Sequence, residues 1–327
     1  MMSLLVSMAN RPTVRRFFAA IAVSMLTSAA VGHAQAVEVR EITVAIAADE
    51  EFRSRSNWRE LLKNRLAAVS DFYEREFAIR WKVVSINEWV SDNRGTDMTG
   101  RLRELENDAP HGDADIVLGI SSQPSLVKGV ATTLGSYVLV VDSGEYDERR
   151  NTVIIAHEFA HLFGAWHSHD RTSLMFGAGA LEFGIDEATA AVIRTMRDFD
   201  FRRGIDGIDE ATVARLTAVY QENAPVGEAH PLARAYMGRG YEAYLERDYN
   251  GAVAADKVAV SLSPEWGEAR RMLSKALFRA GQHEEAWTEY VAARDLGITP
   301  NWAYVREMRR ALIRYVGVDP MWEDAER

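Results

Sequence analysis

His157, Glu158, His161, Gly164 and His167 stand in one run of eleven residues, His157-Glu158-Phe159-Ala160-His161-Leu162-Phe163-Gly164-Ala165-Trp166-His167. Three imidazoles and a carboxylate at these offsets can hold a metal ion and activate water on it. On a helix, His157 and His161 point the same way one turn apart. Two imidazoles so placed can share one ion at about 2.0–2.1 Å each. Glu158 is rotated by about 100° from His157, which sets it beside the ion rather than on it. From there its carboxylate can take a proton from water and later pass it to a leaving amine. Gly164 can enter the left-handed conformation that ends a helix and turns the chain, so that His167 returns as a third ligand. Three protein ligands leave a fourth position for water or a substrate carbonyl, the arrangement of catalytic zinc. Cysteine-type structural zinc is excluded, because the chain has no Cys. His169 is a competing ligand two residues on; His167 is preferred for its offset from Gly164.

The elements around this run must aim it. Asn151 to Ala156 gives a polar helix start and then an apolar run, and Phe159, Leu162 and Phe163 can pack that helix into a core. Ser173-Leu174-Met175-Phe176-Gly177 reads as a tight turn carrying a methionine. Upstream, Glu41–Ala47, Ile79–Val90 and Ala114–Ile120 read as strands, with a helix over Ser56–Phe77 capped by Ser56 and a short helix over Asp97–Asn107. Val130–Leu134 and Ser136–Val141 read as two strands joined tightly at Gly135.

With the extended histidine run and the methionine turn both present, the sequence resembles the metzincin clan of zinc endopeptidases. His157, Glu158, His161, Gly164 and His167 match the motif, and Met175 matches the turn methionine, which the resemblance places beneath the zinc-binding imidazoles. The short gap from His167 to Met175 is similar to that of matrixins. Gly177 stands where other groups of the clan carry a tyrosine that approaches the metal, so no tyrosine ligand is expected. The cysteine of the matrixin pro-segment and the cysteine zinc site of archaemetzincins are both missing. The resemblance spans about Glu38 to Tyr220. It implies an α/β (α+β) catalytic domain with a mixed, mostly parallel five-stranded sheet. It also implies that an antiparallel edge strand, here Val130, Ala131, Thr132, Thr133 and Leu134, is the rim on which substrate lies. The physics of that rim is pairing of an extended peptide with a free sheet edge; the plainer reading is an ordinary edge strand.

At 327 residues, 47% hydrophobic and 26% charged, the chain reads as a soluble globular protein of about two domains. Residues 1–36 read as a signal peptide: Arg11, Arg15 and Arg16 precede an apolar stretch too short to span a bilayer, and Ala34-Gln35-Ala36 offers a cleavage site. Arg15-Arg16-Phe17-Phe18 loosely resembles a twin-arginine signal. Loss of this segment takes away three arginines and no acids, and moves the formal charge from -10 to -13. That balance argues against nucleic acid and anionic membrane as partners, and without cysteine no acyl anchor can be attached. Localisation in the periplasm or outside the cell is expected. Zinc, as one catalytic ion, is the expected cofactor; calcium stays unassigned.

Asp186 and Asp209 are the expected N-caps of two helices that complete the catalytic domain, assigned to residues 37–224, before a linker at Asn223–Gly227. Beyond it Ala252 and Ala286, Ala259 and Ala293, and Gly240 and Ser274 each lie 34 apart. Small residues at these offsets, tyrosines between them and Pro264 and Pro300 resemble tetratricopeptide repeats. Residues 229–327 are therefore expected to form an all-α repeat domain, with Asn301–Val316 as a capping helix. Asp256, where an aromatic is usual, and Leu277, in place of a tyrosine, depart from the pattern. Two repeats are few for a free-standing array, so packing on the catalytic domain or a partner is expected. The expected function is an exported zinc endopeptidase acting on protein or peptide. Its rivals are a repeat-based scaffold whose peptidase domain is weak or inactive, and a zinc enzyme acting on small peptides or cell-wall amides.

Overall fold

Strands β1 (Arg40–Ala48), β3 (Ile116–Ser121) and β5 (Tyr137–Val141) bury nearly every residue on both faces, as central parallel strands must. The computed structural model describes residues 38–320 apart from 93, 95, 96, 143, 145, 146, 178, 180, 181 and 226. The expected signal peptide lies outside the described residues. With β2 (Ile79–Glu88) and β4 (Gly129–Ala131), the sheet order is β2-β1-β3-β5-β4. β1 pairs in parallel with β2 and β3, β3 pairs in parallel with β5, and β4 runs antiparallel to β5. This is the mixed, mostly parallel five-stranded sheet that the resemblance implied.

Helices cover both faces. After the short α1 (Glu50–Arg53), α2 (Trp58–Phe77) and α4 (Glu148–Leu162) pack one face through Leu62, Leu66, Tyr73, Val153, Phe159 and Phe163. The Tyr73 hydroxyl donates to the Ala156 carbonyl at 2.7 Å, and the Trp81 and Phe159 rings lie 4.2 Å apart. α3 (Met98–Asp108) covers the other face with Leu102 and Leu105. Its N-cap is Asp97, whose side chain accepts from the Gly100 amide, close to where the sequence placed that helix. Asn57, not Ser56, is the residue before α2, and it makes no capping bond.

Two expectations need correction. The helix bearing the histidines begins at Glu148, not Asn151. Arg65, buried inside the fold, pairs with both Asp142 and Glu148 at 2.6 Å, and Asn151 donates to Asp142 and to the Gly144 carbonyl. These long-range bonds hold an extra turn that no local pattern announced. The edge strand is also shorter than Val130–Leu134. It spans Gly129–Ala131, because Thr132–Leu134 form the turn: Gly135 donates to the Thr132 carbonyl at 2.8 Å and Leu134 takes a left-handed φ of 53°.

Past the sheet, α5 (Glu187–Thr195) and α6 (Glu210–Asn223) are capped by Asp186 and Asp209, the residues predicted for it. α7 (Pro231–Leu245), α8 (Tyr249–Leu262), α9 (Gly267–Arg279) and α10 (His283–Asp295) follow as two helical hairpins, and α11 (Trp302–Ala311) closes the array. Each small-residue pair 34 apart is buried: Ala252 with Ala286, Ala259 with Ala293, and Gly240 with Ser274. Asp256 is buried against Gly240, where a Cβ would lie 2.2 Å from its carboxylate oxygen. The chain from Glu38 onward forms one compact unit, and Leu232, Ala235, Tyr236 and Leu262 join the same core as the sheet.

His230 is part of that joint. It is buried beneath Tyr220, its Nδ1 accepts from the Leu232 amide, and its own amide donates to Ser263 Oγ at 2.9 Å. Burial pushes its imidazole down to about 4, whereas an unfolded histidine titrates near 6.5. Between those values only the unfolded chain binds the proton. Stability linked to His230 is therefore complete above about pH 6.5 and is lost as pH falls toward 4. His230→Asn keeps a capping acceptor without the titration. The stability lost between pH 7.5 and pH 5, read from urea midpoints, should be smaller in the variant by about 2 kcal/mol. Equal losses in the two proteins would show that His230 does not stay neutral in the fold.

Candidate metal centre and active site

α4 ends where the spacing required. Gly164 has φ of 92°. Its amide donates to the His161 carbonyl and the Ala165 amide to the Ala160 carbonyl, at 2.9 and 3.1 Å, the paired bonds of a glycine-terminated helix. The chain then reverses, and His167 comes back to the helix face. His157, His161 and His167 offer nitrogen atoms that all lie within 4.8 Å of one another; among the described residues this is the one group of three or more His, Cys, Asp or Glu fit to hold a metal. His169 is exposed and outside the group.

Two backbone carbonyls decide which nitrogens face the centre. His157 Nδ1 lies 2.7 Å from the Leu174 carbonyl and His161 Nδ1 2.7 Å from the Ala165 carbonyl. A carbonyl only accepts, so both Nδ1 atoms carry the proton and both Nε2 atoms keep a free lone pair. Burial lowers His157 to about 4 and His161 well below its ordinary value, and the more exposed His167 is lowered as well; the neutral ring is the form that metal ligation requires. Three neutral nitrogen donors without a protein counter-charge among them fit one zinc ion with an open position.

Glu158 lies beside this group and is buried, which pushes its carboxyl up to about 8. Its carboxylate rests on the edge strand at Gly129. A Cβ at Gly129 would stand 2.3 Å from Glu158 Oε1, so a larger residue there would have to push that side chain aside. Two cavities open on either side of Glu158 and His167. One, of about 260 Å³, is lined by Val130, Ala131, Thr133, His161, Glu228 and Arg234. The other, of about 310 Å³, reaches Lys128, Arg150, Ile154 and Phe176. Glu228 and Arg234 form an ion pair at 2.6 Å and come from the start of the helical array, so that array walls one end of the cleft.

Residues 38–191 match the family model described as Metallo-peptidase family M12 (Reprolysin_5). That segment is a metallopeptidase-like domain. No curated protein matches the chain. Among solved structures, archaemetzincin from Methanopyrus kandleri is 19% identical with a TM-score of 0.37, covering 48% of this chain and 96% of its own. A zinc-dependent peptidase from Methanocorpusculum labreanum is 13% identical with a TM-score of 0.33, covering 46% and 99%. Metalloproteinase-II from Bacteroides fragilis is 14% identical with a TM-score of 0.34, covering 45% and 48%.

Within the metallopeptidase-like domain, the predicted rim residues separate. Val130, Ala131 and Thr133 line the cleft. Thr132 turns to Glu106 at 2.9 Å, and Leu134 is buried in the core against Gly164, because an apolar side chain at the turn is drawn under the helix end. Met175 is fully buried, in the turn whose Leu174 carbonyl holds His157. That turn is pinned by bonds the sequence did not reveal. Ser173 Oγ accepts from the Met175 amide at 2.9 Å and donates to Asp186, and the Leu174 amide donates to the Gly184 carbonyl at 2.7 Å. Asp186 thus at once caps α5 and supports the turn whose Leu174 carbonyl holds His157. Asp186→Ala should lower stability by about 1–2 kcal/mol through the lost cap and weaken zinc affinity by about tenfold or more through His157. Denaturation and competitive chelator titration check the two effects separately.

Proposed function

We propose that the chain is an exported zinc-dependent endopeptidase that cleaves extended polypeptide lying along β4. The observation that carries this reading is the meeting of three neutral imidazoles, their Nδ1 protons held by carbonyls where bonded, with a buried carboxylate at the floor of an open cleft. Zinc held by His157, His161 and His167 would supply Lewis-acid activation of water and polarise the scissile carbonyl.

The chain's own residues do the rest. Glu158 in its ionised form takes the proton of the attacking water and delivers it to the leaving amine nitrogen. Its burial excludes bulk water and strengthens each charge interaction there. Gly129 leaves the space in which that carboxylate sits. β4, paired with β5 on one side only, offers backbone groups to an extended peptide. The gap from His167 to Met175 and the intact Glu158 support a matrixin-like, active peptidase over a scaffold. We further read α7–α10 as tetratricopeptide-like repeats that dock a protein partner or substrate, and residues 1–36 as the export signal.

Purified protein should retain about one zinc per chain and cleave an unfolded protein substrate. Chelation should abolish cleavage and zinc should restore it. Undiminished cleavage by protein shown to be free of metal would overturn the reading, as would failure of the native chain to bind zinc.

A further inference from the structure

The larger cavity beside the histidines carries two cations besides the catalytic carboxyl. Its charged lining is Lys128, Arg150 and Glu158, and the proposed reaction already occupies Glu158. Arg150 lies in the first turn of α4. Its nearest acid is Asp147, loosely paired at 3.6 Å with both side chains 38% exposed. Its Nε is buried without a hydrogen-bond partner among the described residues. Its guanidinium lies near Gly179, where a Cβ would stand 3.4 Å from Nη2. Lys128 precedes β4 and carries no ion pair among the described residues. Ile154 and Phe176 complete the wall with apolar surface.

We propose that this cavity receives a carboxylate of the peptide substrate next to the scissile bond, so that the enzyme selects an acidic side chain or a free chain end there. The proposal rests on the peptidase reading above and adds the substrate class to it. A guanidinium presents paired donors that match a carboxylate, whereas water or an amide satisfies them less well. The apolar wall can hold the methylene groups behind such a carboxylate. The chain as a whole is acidic, with a formal charge of -10, so a two-cation pocket would be a local focus for an anion rather than part of a general basic surface.

The test uses internally quenched peptides of one frame carrying Glu, Gln, Leu or Lys at each position in turn, with amidated ends. A parallel set has no internal acid and a free C-terminal carboxylate. Zinc-loaded protein should cleave the Glu peptides at one position flanking the cut about 10- to 100-fold better in kcat/KM than their Gln partners, or show that preference for the free terminus. The two sets tell side-chain from chain-end recognition. In Arg150→Gln the ratio should fall toward one, and in Arg150→Lys it should partly return. Binding gives a readout independent of turnover. Glu158→Gln protein should bind the Glu peptide more tightly than the Gln peptide by fluorescence anisotropy, and adding Arg150→Gln should erase the difference. Cleavage without acidic preference at any position would overturn this proposal and leave the peptidase reading standing. Absence of zinc-dependent cleavage of every peptide and protein would overturn both.

Discussion

Glu158→Gln is expected to leave zinc content and fold unchanged and to lower kcat on an unstructured protein by about 10³-fold. The amide has the shape of the carboxylate and fits the same space beside Gly129. It replaces a buried carboxyl with a neutral group of nearly the same size, so the melting temperature should change little. What it cannot do is accept a proton from water. The imidazoles cannot replace it, because the two with assigned bonds have Nδ1 committed to the Leu174 and Ala165 carbonyls and Nε2 turned to the centre. Zinc content is measured on the same preparation, so a fall in kcat at full zinc isolates proton transfer from metal loss. Near-normal kcat in zinc-loaded Glu158→Gln would mean that the base lies elsewhere.

The parts of this site that could be read in advance are those a helix fixes by itself. Offsets of one and four put Glu158 and the first two histidines in place, and Gly164 turns back His167, because 3.6 residues per turn and one left-handed residue are local facts. The same holds for Asp186 and Asp209, whose caps reach only three residues on. The central strands showed as apolar runs because both their faces are buried. What escaped depends on contacts across the sheet. The first turn of α4 is held by Arg65, 83 residues before Glu148. Leu134 looked like one more strand residue, but the turn it occupies drives it into the core. The helical array gave its 34-residue spacing openly, while Glu228 and Arg234 carried no pattern that would place them in the cleft. Gly129 looked like an ordinary glycine, and its role appears only when β4 lies against Glu158.

Gly129→Ala should therefore be the most damaging change outside the histidine run, lowering kcat by about 10²-fold with little effect on stability. The added methyl would stand 2.3 Å from Glu158 Oε1 and 2.7 Å from its Cγ and Cδ, so something must move. The backbones resist. Gly129 is registered with Val140 of β5, the Lys128 carbonyl accepts from the Val141 amide at 2.8 Å, and α4 is clamped in the core by Val153, Ile155 and Phe159. The end of the Glu158 side chain yields instead. A rotamer adjustment of that kind costs about 0.5–1.5 kcal/mol, which stability tolerates, but the carboxylate is then displaced from the water it must deprotonate. A second substitution separates this cause from general damage. Glu158→Ala removes every Glu158 atom that the added methyl would meet. In that background Gly129→Ala should have almost no further effect on kcat, a coupling that independent sites do not show. If the two losses multiplied instead, the glycine would be acting on the edge strand and its grip on substrate rather than on the carboxylate, and KM rather than kcat would carry the change.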